Sequence, residues 1–386
     1  MVTSNFFIFV CMNFDWLKAR QDFGFELPHI SNVGYQRIHL ETGEVSSLSQ
    51  PVFVHEGSFS DVVSIKIRGS ELTMSGNPSR WGKLDNVFGC TSMDECFDVF
   101  NQILRSLGLP EFTKGRRRKL RQCADGSYCG HYWDGAQVIE THVNRNIAVG
   151  PGNENSVIRA LSMLSFRRMN GNLRPNGQTA DFMTNGGQVN YIYPSIYNKS
   201  HDLLIHSIKK IEKKFGSDSE EYRYLQKLYE FLLMYGVIRF ELKLKRRFLK
   251  KHDLTDWGFA YFEDELHPLL NDFVDIHKKT RPSTMDVKSV ATELLEKNIV
   301  NTVRAAHTTA FYAYSWSCGE KFDLSKRQIK EHRARLRKIG IDIAREYNVS
   351  LFPGVVIREI KEIEFSDVVV KPDFYRDRKT ELYLVA

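Results

Sequence analysis

The sequence is poor in cysteine and in long apolar runs, and neither charge strongly predominates. It has 6 cysteines in 386 residues, too sparse for a disulfide framework. The longest apolar run near the start, residues 6–12, is too short to cross a bilayer and lacks signal-peptide features, which predicts a buried strand. Neither a secreted disulfide scaffold nor a membrane partner is expected, and the cytoplasm is the expected location.

The composition is that of an ordinary globular protein with a modest basic excess. Lys and Arg number 54 against 47 Asp and Glu, a formal charge of +7. Hydrophobic residues make up 42% and charged residues 26%, which excludes collagen-like, low-complexity and wholly disordered chains. The positive balance favours a polyanionic partner, and the length predicts two or three compact units.

Hydrophobic periodicity predicts an α+β fold, with an antiparallel sheet flanked by helices and a smaller, mainly helical C-terminal domain. Residues 1–75 alternate apolar and polar side chains in short pieces, as antiparallel strands do. A helix is expected from Ser92 to Gly108, because a hydroxyl cap precedes apolar positions at helical spacing. Further helices are predicted at 154–166 and, as a pair interrupted by a Gly-Ser step, within 201–235.

The C-terminal part of the chain changes character. Helices are predicted at residues 287–303 and 324–347, the second strongly cationic, and a strand is predicted at 355–370. We therefore divide the chain into a domain of residues 1–284 and a domain of residues 285–386.

A strand at residues 138–144 carries a carboxylate and an imidazole on one face. Period-2 geometry directs Glu140, His142 and Asn144 to the same side. The carboxylate supplies hard oxygen and a neutral imidazole suits Mn²⁺ and softer metals, so this pair is a candidate site for a divalent cation. The alternative is a polar strand face turned to solvent.

The segment 237–245 also alternates between apolar and charged positions. Its charged side chains are Arg239, Glu241, Lys243 and Lys245. One interpretation is a metal-binding carboxylate, Glu241, in a groove that attracts phosphates. The alternative is a surface of cross-strand ion pairs that contributes under about 1 kcal/mol per pair.

Tyrosines are concentrated between the two segments just described. In an extended chain Tyr191, Tyr193, Tyr197 and Lys199 share a face. A tyrosine can attack a phosphodiester once its proton is removed, and a nearby lysine stabilises the developing charge. Tyr197 is the predicted nucleophile because Lys199 and Asp202 follow it closely, and Tyr193 and Tyr191 are the alternatives. Taken alone, such a strand also fits ordinary core and rim aromatics.

A second basic run, residues 114–121, holds six cations in eight residues beside a predicted loop. Such a run can bind a phosphate backbone, or it can be a solvated turn. The predicted DNA-binding residues of both basic runs are Lys114, Arg116, Arg117, Arg118, Lys119, Arg121, Arg239, Lys243, Lys245, Arg246 and Arg247.

Four short motifs follow one another along the chain. They are N-V-F-G-C-T at 86–91, Y-N-K-S-H-D-L at 197–203, R-F-E at 239–241 and R-F-L-K at 247–250. In order and spacing they resemble the replication initiators of filamentous phages and related plasmids, the gene II/X family of rolling-circle nicking and joining proteins.

Two features depart from the family pattern. Glu140 stands where the family has Asp after an Arg in an R-I-D strand, and that Arg is missing here. Asp202 replaces a family Glu. Both changes keep an oxygen ligand. A His-hydrophobic-His metal motif, found in many other rolling-circle initiators, is absent, and Glu140 with His142 would replace it.

The resemblance implies a metal-dependent tyrosine endonuclease and ligase. One DNA strand is nicked at an origin, the tyrosine keeps the 5′ phosphate, and the displaced strand is later rejoined into a circle. The implied cofactor is Mg or Mn, held by Glu140, His142, Asp202 and Glu241. No nucleotide cofactor is expected, because the phosphotyrosine conserves the bond energy and the sequence has no G-x-x-x-x-G-K-[ST] loop.

The same resemblance implies the partners. These are origin DNA, both supercoiled double-stranded and displaced single-stranded, and a helicase and polymerase of the bacterial host, in whose cytoplasm the protein would act. The C-terminal domain resembles a separate regulatory, DNA-binding product of the family, with Met285 as a candidate internal start. Two alternatives stay open: a non-catalytic nucleic-acid-binding regulator, and a metal-only DNA nuclease that never becomes attached to DNA.

Overall fold

A computed structural model describes residues 12–30, 33–34, 36, 38–45, 51–59, 61–119, 125–127, 131–187, 190–280, 287–317, 320–345 and 369–378. The strands in these ranges are β1 (Asn13–Asp22), β2 (Phe53–Glu56), β3 (Val62–Arg68), β4 (Glu71–Gly76), β5 (Arg117–Lys119), β6 (His131–Trp133), β7 (Gln137–Ala148), β8 (Ser165–Phe166), β9 (Met169–Leu173), β10 (Thr179–Met183), β11 (Ile192–Asn198) and β12 (Val237–Lys245).

The α-helices in the same ranges are α1 (Met93–Ser106), α2 (Glu154–Ser162), α3 (Lys199–Leu203), α4 (Lys209–Phe215), α5 (Glu220–Tyr235), α6 (Arg246–Lys251), α7 (Phe262–Val274), α8 (Val287–Glu296), α9 (Val303–Ser317) and α10 (Arg327–Arg337). A π-helical turn, Leu204–Ile208, joins α3 to α4, and a 3₁₀ helix, Asp275–Thr280, follows α7. None of the helices in the described part of the chain is long and apolar enough to span a membrane.

Ten of the strands form one antiparallel sheet in the order β2-β3-β4-β1-β7-β12-β11-β10-β9-β8, and β5 pairs with β6 apart from it. The centre of the sheet joins strands that are distant in sequence: β12 pairs with β7 along its whole length and with β11 on its other side. The predicted α+β fold, an antiparallel sheet with helices and a helical C-terminal region, is confirmed.

One face of the sheet is apolar and is covered by α1, α2 and α7. Phe273 of α7 packs at 5.3 Å, between ring centroids, against both Phe240 of β12 and Phe182 of β10. All three rings are fully buried, which stabilises the fold by about 1.5–3 kcal/mol per side chain. Because β12 alternates, burying Phe240, Leu242 and Leu244 on this face leaves its charged residues on the other.

Several predicted helix ends are confirmed by their capping contacts. Ser92 Oγ accepts the Glu95 amide at 3.1 Å, as an N-cap serine does, and α1 ends just before Gly108. Gly216, at φ +84°, ends α4 and separates it from α5. The helix predicted at 154–166 is shorter, because the chain turns after Ser162 into the β8–β9 hairpin.

The C-terminal helices pack around a core of their own, which includes Leu294, Ala310, Trp316 and Leu336. The helix predicted at 287–303 is broken: Asn298 adopts the left-handed conformation, φ +50°, and α9 starts five residues later.

The cationic helix predicted at 324–347 is reduced to α10, which is followed by Gly340 at φ +87°. Most of the predicted strand at 355–370, and residues 281–286 at the predicted boundary, lie outside the described residues. Residues 369–370, which are described, are not in a strand. The two-domain division stays a prediction.

Candidate active site

The second face of the sheet is polar, and its register brings together side chains from β7, β11 and β12. Tyr197 lies opposite Arg239, Ser195 opposite Glu241, and Tyr193 opposite Lys243. On the other edge of β12, Glu241 lies opposite Asn144 and Lys243 opposite His142. Directly opposed residues of antiparallel strands share a face, so the predicted tyrosine, carboxylate and imidazole residues lie on one surface.

Glu241 is at the centre of the first group of side chains. Its Oε2 accepts a hydrogen bond from the Tyr197 hydroxyl at 2.8 Å, and its Oε1 lies 3.3 Å from His142 Nδ1. Lys243 Nζ is 3.6 Å from the same Oε1. The Glu241 side chain is 8% exposed, and a buried carboxylate needs such partners. We call Glu140, His142, Tyr197 and Glu241 the tyrosine cluster.

His142 lies between two carboxylates. Its Nε2 is 2.9 Å from Glu140 Oε1, and its Nδ1 faces Glu241. Burial alone would lower the pKa of His142, but the hydrogen bonds to the two carboxylates raise it above its ordinary value. Burial would raise the pKa of Glu140, yet hydrogen bonds from His142 and Lys245 lower it to about 2. The arrangement therefore favours an imidazolium ion held by two carboxylates.

The Tyr197 hydroxyl is held in its neutral form. Burial, and then the negative charge of Glu241, raise the pKa of Tyr197 well above its ordinary value. Burial would raise the pKa of Glu241, but its contacts with His142, Lys243 and Tyr197 together lower it below its ordinary value. The proton of the hydrogen bond between them therefore belongs to the phenol.

The two alternative nucleophiles have different partners. The Tyr193 hydroxyl accepts a hydrogen bond from Arg174 at 3.3 Å, and its ring lies 5.4 Å from Lys243 Nζ. The Tyr191 hydroxyl is 3.2 Å from His252 Nε2. Neither hydroxyl contacts a residue of the tyrosine cluster, so the choice of Tyr197 stays a prediction that this geometry favours.

A second group of charges lies beside the first, with Arg239 at its centre. The Arg239 side chain is fully buried, and it lies 3.3 Å from Asp15 Oδ2 and donates to Asn146 Oδ1 at 2.7 Å. It also donates to the backbone carbonyls of Asn86 and Val87, at 2.7 and 2.9 Å. The guanidinium is enclosed by the protein, so this geometry disfavours Arg239 as a DNA-binding residue, and that role stays a prediction.

Lys199 completes this second group. Its fully buried ammonium donates to Asp202 Oδ2 at 2.7 Å and to Asn86 Oδ1 at 2.8 Å, and it lies 5.9 Å from the centre of the Tyr197 ring. Burial and the charge of Arg239 lower the pKa of Lys199. Burial would raise the pKa of Asp202, but Lys199 lowers it. We call Asp15, Asn86, Lys199, Asp202 and Arg239 the arginine cluster.

Lys199 reaches this position by a route that the sequence did not predict. The chain is not extended at Lys199, because Asn198 ends β11 and caps α3 through its Oδ1, which accepts the amides of Ser200 and His201 at 3.1 and 3.2 Å. Lys199 is thus the first residue of a helix and approaches Tyr197 from the helix side.

The four predicted metal ligands are only partly brought together. Glu140, His142 and Glu241 are in contact, whereas Asp202 pairs with Lys199 in the arginine cluster. In the described part of the chain, no three Asp, Glu, His or Cys side chains are placed as a metal-binding group. The buried Asn144 Oδ1 beside Glu241 has no hydrogen-bond partner among the described residues. This oxygen is a suitable ligand for a hard divalent cation, provided that Glu140 and Glu241 give up their contacts with His142 and bind the cation instead.

The predicted DNA-binding cations have several environments. Lys243 and Lys245 are half-buried at the tyrosine cluster, where Lys245 contacts Glu140. Arg246 and Arg247 are exposed at the start of α6. Lys114 and Arg116 are also exposed, and Lys114 pairs with Asp94 at 2.6 Å. Residues 117–119 form β5, of whose side chains nothing is described, and Arg121 lies outside the described residues.

Sequence reasoning missed several side chains of this face. Asp15, Asn86 and Asn146 hold the arginine cluster, and the Trp16 ring stacks on His142 with centroids 6.0 Å apart. A signal existed for Asn86, which opens the N-V-F-G motif. The other residues depend on which strands become neighbours.

The fold and this face define a class of protein: an α+β protein with a tyrosine, two carboxylates and a histidine on the polar face of an antiparallel sheet, bordered by exposed cations. The family model for the N-terminal part of the phage replication-associated gene II protein matches residues 13–261, and the model for the C-terminal part of that protein matches residues 294–380. The replication-associated protein of Escherichia phage If1, a gene II protein, is 45% identical over 314 residues, 81% of this chain and 97% of that protein.

The chain belongs to this family of replication-associated gene II proteins. The resemblance to the filamentous-phage gene II/X family is thereby confirmed.

Proposed function

We propose that this chain initiates rolling-circle replication of phage or plasmid DNA by nicking one strand at the origin, with Tyr197 as the nucleophile. The observation that carries the proposal is the 2.8 Å hydrogen bond from the Tyr197 hydroxyl to Glu241, in a chain of the gene II protein family. A phenol hydrogen-bonded to a carboxylate has the geometry of a nucleophile with its general base.

In the proposed nicking step, the Tyr197 oxygen attacks the scissile phosphorus and the bond from phosphorus to the 3′ oxygen breaks. The phenol proton moves to Glu241 Oε2, and the leaving 3′ oxygen takes a proton from solvent water to become a hydroxyl. Because the pKa of Tyr197 is raised and that of Glu241 lowered, the proton moves only as the new bond forms. The 5′ phosphate stays on the tyrosine.

Joining is the same exchange in reverse. A 3′ hydroxyl attacks the phosphotyrosine, the bond from phosphorus to the tyrosine oxygen breaks, and Tyr197 regains its proton. Each step exchanges one phosphodiester linkage for another, so the reaction needs no nucleotide cofactor.

A divalent cation, Mg or Mn, is part of the proposal. When bound, it would supply charge to the scissile phosphate. Glu241, Asn144 and the neutral, deprotonated form of His142 are the groups that would hold it, with Glu140 beside them. Asp202 is the least supported of the predicted ligands because Lys199 binds it. Chelation is expected to stop nicking while leaving DNA binding in place.

The proposed partners are supercoiled origin DNA and the displaced single strand, which the exposed cations near α6 would bind through phosphates. Unwinding and synthesis are assigned to a host helicase and polymerase, and the proposed place of action is the host cytoplasm.

Covalent capture tests the proposal. An origin oligonucleotide labelled 3′ of the nick is incubated with the protein and Mn²⁺, and the labelled peptide is mapped. We expect the label on Tyr197 and its loss in Tyr197→Phe, with Tyr193→Phe as the matched control. Cleavage without an attached label would favour a metal-only nuclease. DNA binding without cleavage would favour a non-catalytic regulator. A label on Tyr191 or Tyr193 would identify a different nucleophile.

A further inference from the structure

A ten-residue segment that follows the C-terminal helices in the chain packs against the N-terminal region. This segment, residues 369–378, is here called the C-terminal strap. It forms a compact turn in which Lys371 Nζ pairs with Asp377 at 2.7 Å and the Tyr375 amide donates to Pro372 O at 2.9 Å. Tyr375 is 8% exposed and belongs to a core that includes Val87 and residues of α5.

The strap contacts one loop in particular, residues 77–91, which connects β4 to α1. The Tyr375 hydroxyl lies 3.0 Å from Asp85 Oδ1 and 3.2 Å from Phe88 O, and its ring packs edge-on against Phe88 with centroids 4.9 Å apart. Arg378 donates to Trp81 O at 3.0 Å and also contacts Pro78 O. Two strap side chains thus bind the loop at four places.

The same loop supports the arginine cluster from its other side. Asn86 accepts from Lys199 at 2.8 Å and donates to Asp15 at 2.8 and 2.9 Å. The carbonyls of Asn86 and Val87 accept from Arg239. Asn86 follows Asp85, the residue that the strap binds, and its side chain contacts Lys199. Lys199 in turn lies beside the Tyr197 ring.

The loop has little regular structure of its own to hold it. Asp85 is 1% exposed, and it accepts from the Tyr224 hydroxyl at 3.0 Å and from the Val87 amide at 2.8 Å as well as contacting Tyr375. A buried carboxylate that loses a donor is destabilised. The strap supplies one of the donors on which this loop conformation depends.

We propose that the C-terminal strap is a positioning element of the nicking site: Tyr375 and Arg378 hold the 77–91 loop so that Asn86 fixes Lys199 beside Tyr197. The inference rests on the proposed nicking function. Tyr375 and Arg378 are positioning residues, because they contact the loop and act on the tyrosine cluster only through it. A segment from the part of the chain that matches the C-terminal family model therefore contributes to a site formed by the part that matches the N-terminal family model.

Amide hydrogen exchange and single-turnover cleavage of the full chain test this. The variants are Tyr375→Phe, which removes only the hydroxyl, and Arg378→Ala. Asp373→Asn is the matched control, because Asp373 is an exposed residue of the same strap. We expect exchange in peptides covering 77–91 and 199–203 to become about tenfold faster in both variants and to stay unchanged in the control.

We also expect the cleavage rate of bound origin DNA to fall by about tenfold in both variants, with unchanged DNA affinity. Unchanged exchange in the loop would overturn the proposal, whatever the protein does to DNA. Faster exchange with an unchanged cleavage rate would reduce the strap to a structural contact. If the wild-type chain does not cleave, the proposed function fails, while the exchange measurement still decides whether the strap holds the loop and Lys199.

Discussion

The tyrosine cluster and the arginine cluster lie side by side on one sheet face, but they satisfy their charges differently. Arg239 and Lys199 are fully buried and are saturated by fixed partners from the sheet, the 77–91 loop and α3. In the tyrosine cluster, Glu140 is partly exposed, as is its partner Lys245, and the neighbouring Asn144 oxygen has no hydrogen-bond partner among the described residues.

This difference indicates that one cluster holds the site in place and the other carries out the reaction. A saturated buried charge resists rearrangement, because removing a partner leaves an uncompensated ion. A cluster with an unused acceptor and solvent access can still receive a cation. We therefore assign the reaction to the tyrosine cluster and its positioning to the arginine cluster, and the following changes test that division.

Glu241→Gln should produce the largest effect. The amide keeps the shape of Glu241 but no longer takes the Tyr197 proton, so we expect nicking to fall by roughly 10³- to 10⁴-fold, at the upper end of general-base effects. Origin affinity should change little. Cleavage and filter-binding assays check both, with Glu111→Gln as a surface control; normal nicking by Glu241→Gln would leave Glu241 as an ion-pair residue only.

Arg239→Met should mainly destabilise the protein. It leaves Asp15 buried without its guanidinium partner, and breaking a buried pair costs about 3–5 kcal/mol. Urea unfolding should show this loss, whereas Arg247→Met, at an exposed position, should change stability by less than about 0.5 kcal/mol. Equal stability of the two variants would mean that the arginine cluster is not a support.

His142→Gln should alter the pH dependence of stability. The pKa of His142 is raised by folding, so its contribution is fully present below its unfolded value of 6.5 and is lost as pH rises through the folded value. The pKa of Glu140 is lowered from 4.5 to about 2, so its contribution is present above 4.5 and is lost as pH falls towards 2. The stability difference between wild type and variant should therefore be greatest between pH 4.5 and 6.5.

Thermal unfolding across pH 3 to 9 measures this difference, with the exposed His307→Gln as the matched control. A difference that grows above pH 7 would contradict the imidazolium assignment.

Neutralising exposed cations should give the smallest effect. Arg246→Gln with Arg247→Gln should flatten the log-log salt dependence of DNA affinity by about two units if each residue contacts a phosphate. Arg239→Lys, measured well below its melting temperature, should leave the slope unchanged because residue 239 is enclosed. A slope that responds to residue 239 would place it in the DNA interface after all.

Local patterns were sufficient for much of the fold. Alternation in β7 and β12 places Glu140, His142 and Asn144 on one face of their strand and Glu241 and its neighbouring cations on one face of theirs. The Ser92 cap predicts the start of α1. These features depend on residues a few positions apart, whose geometry follows from the period of a strand or helix.

The sequence by itself determined which side chains share a face of β7 and of β12, and which family the chain resembles. Only the tertiary structure decided that β7 and β12 are neighbours, which brings His142 to Glu241. It also decided that Arg239 and Lys243, with the same alternation in one strand, differ in access: the 77–91 loop encloses Arg239 and leaves Lys243 partly exposed. Strand pairing and loop packing join residues far apart in the chain, and no local period carries that information.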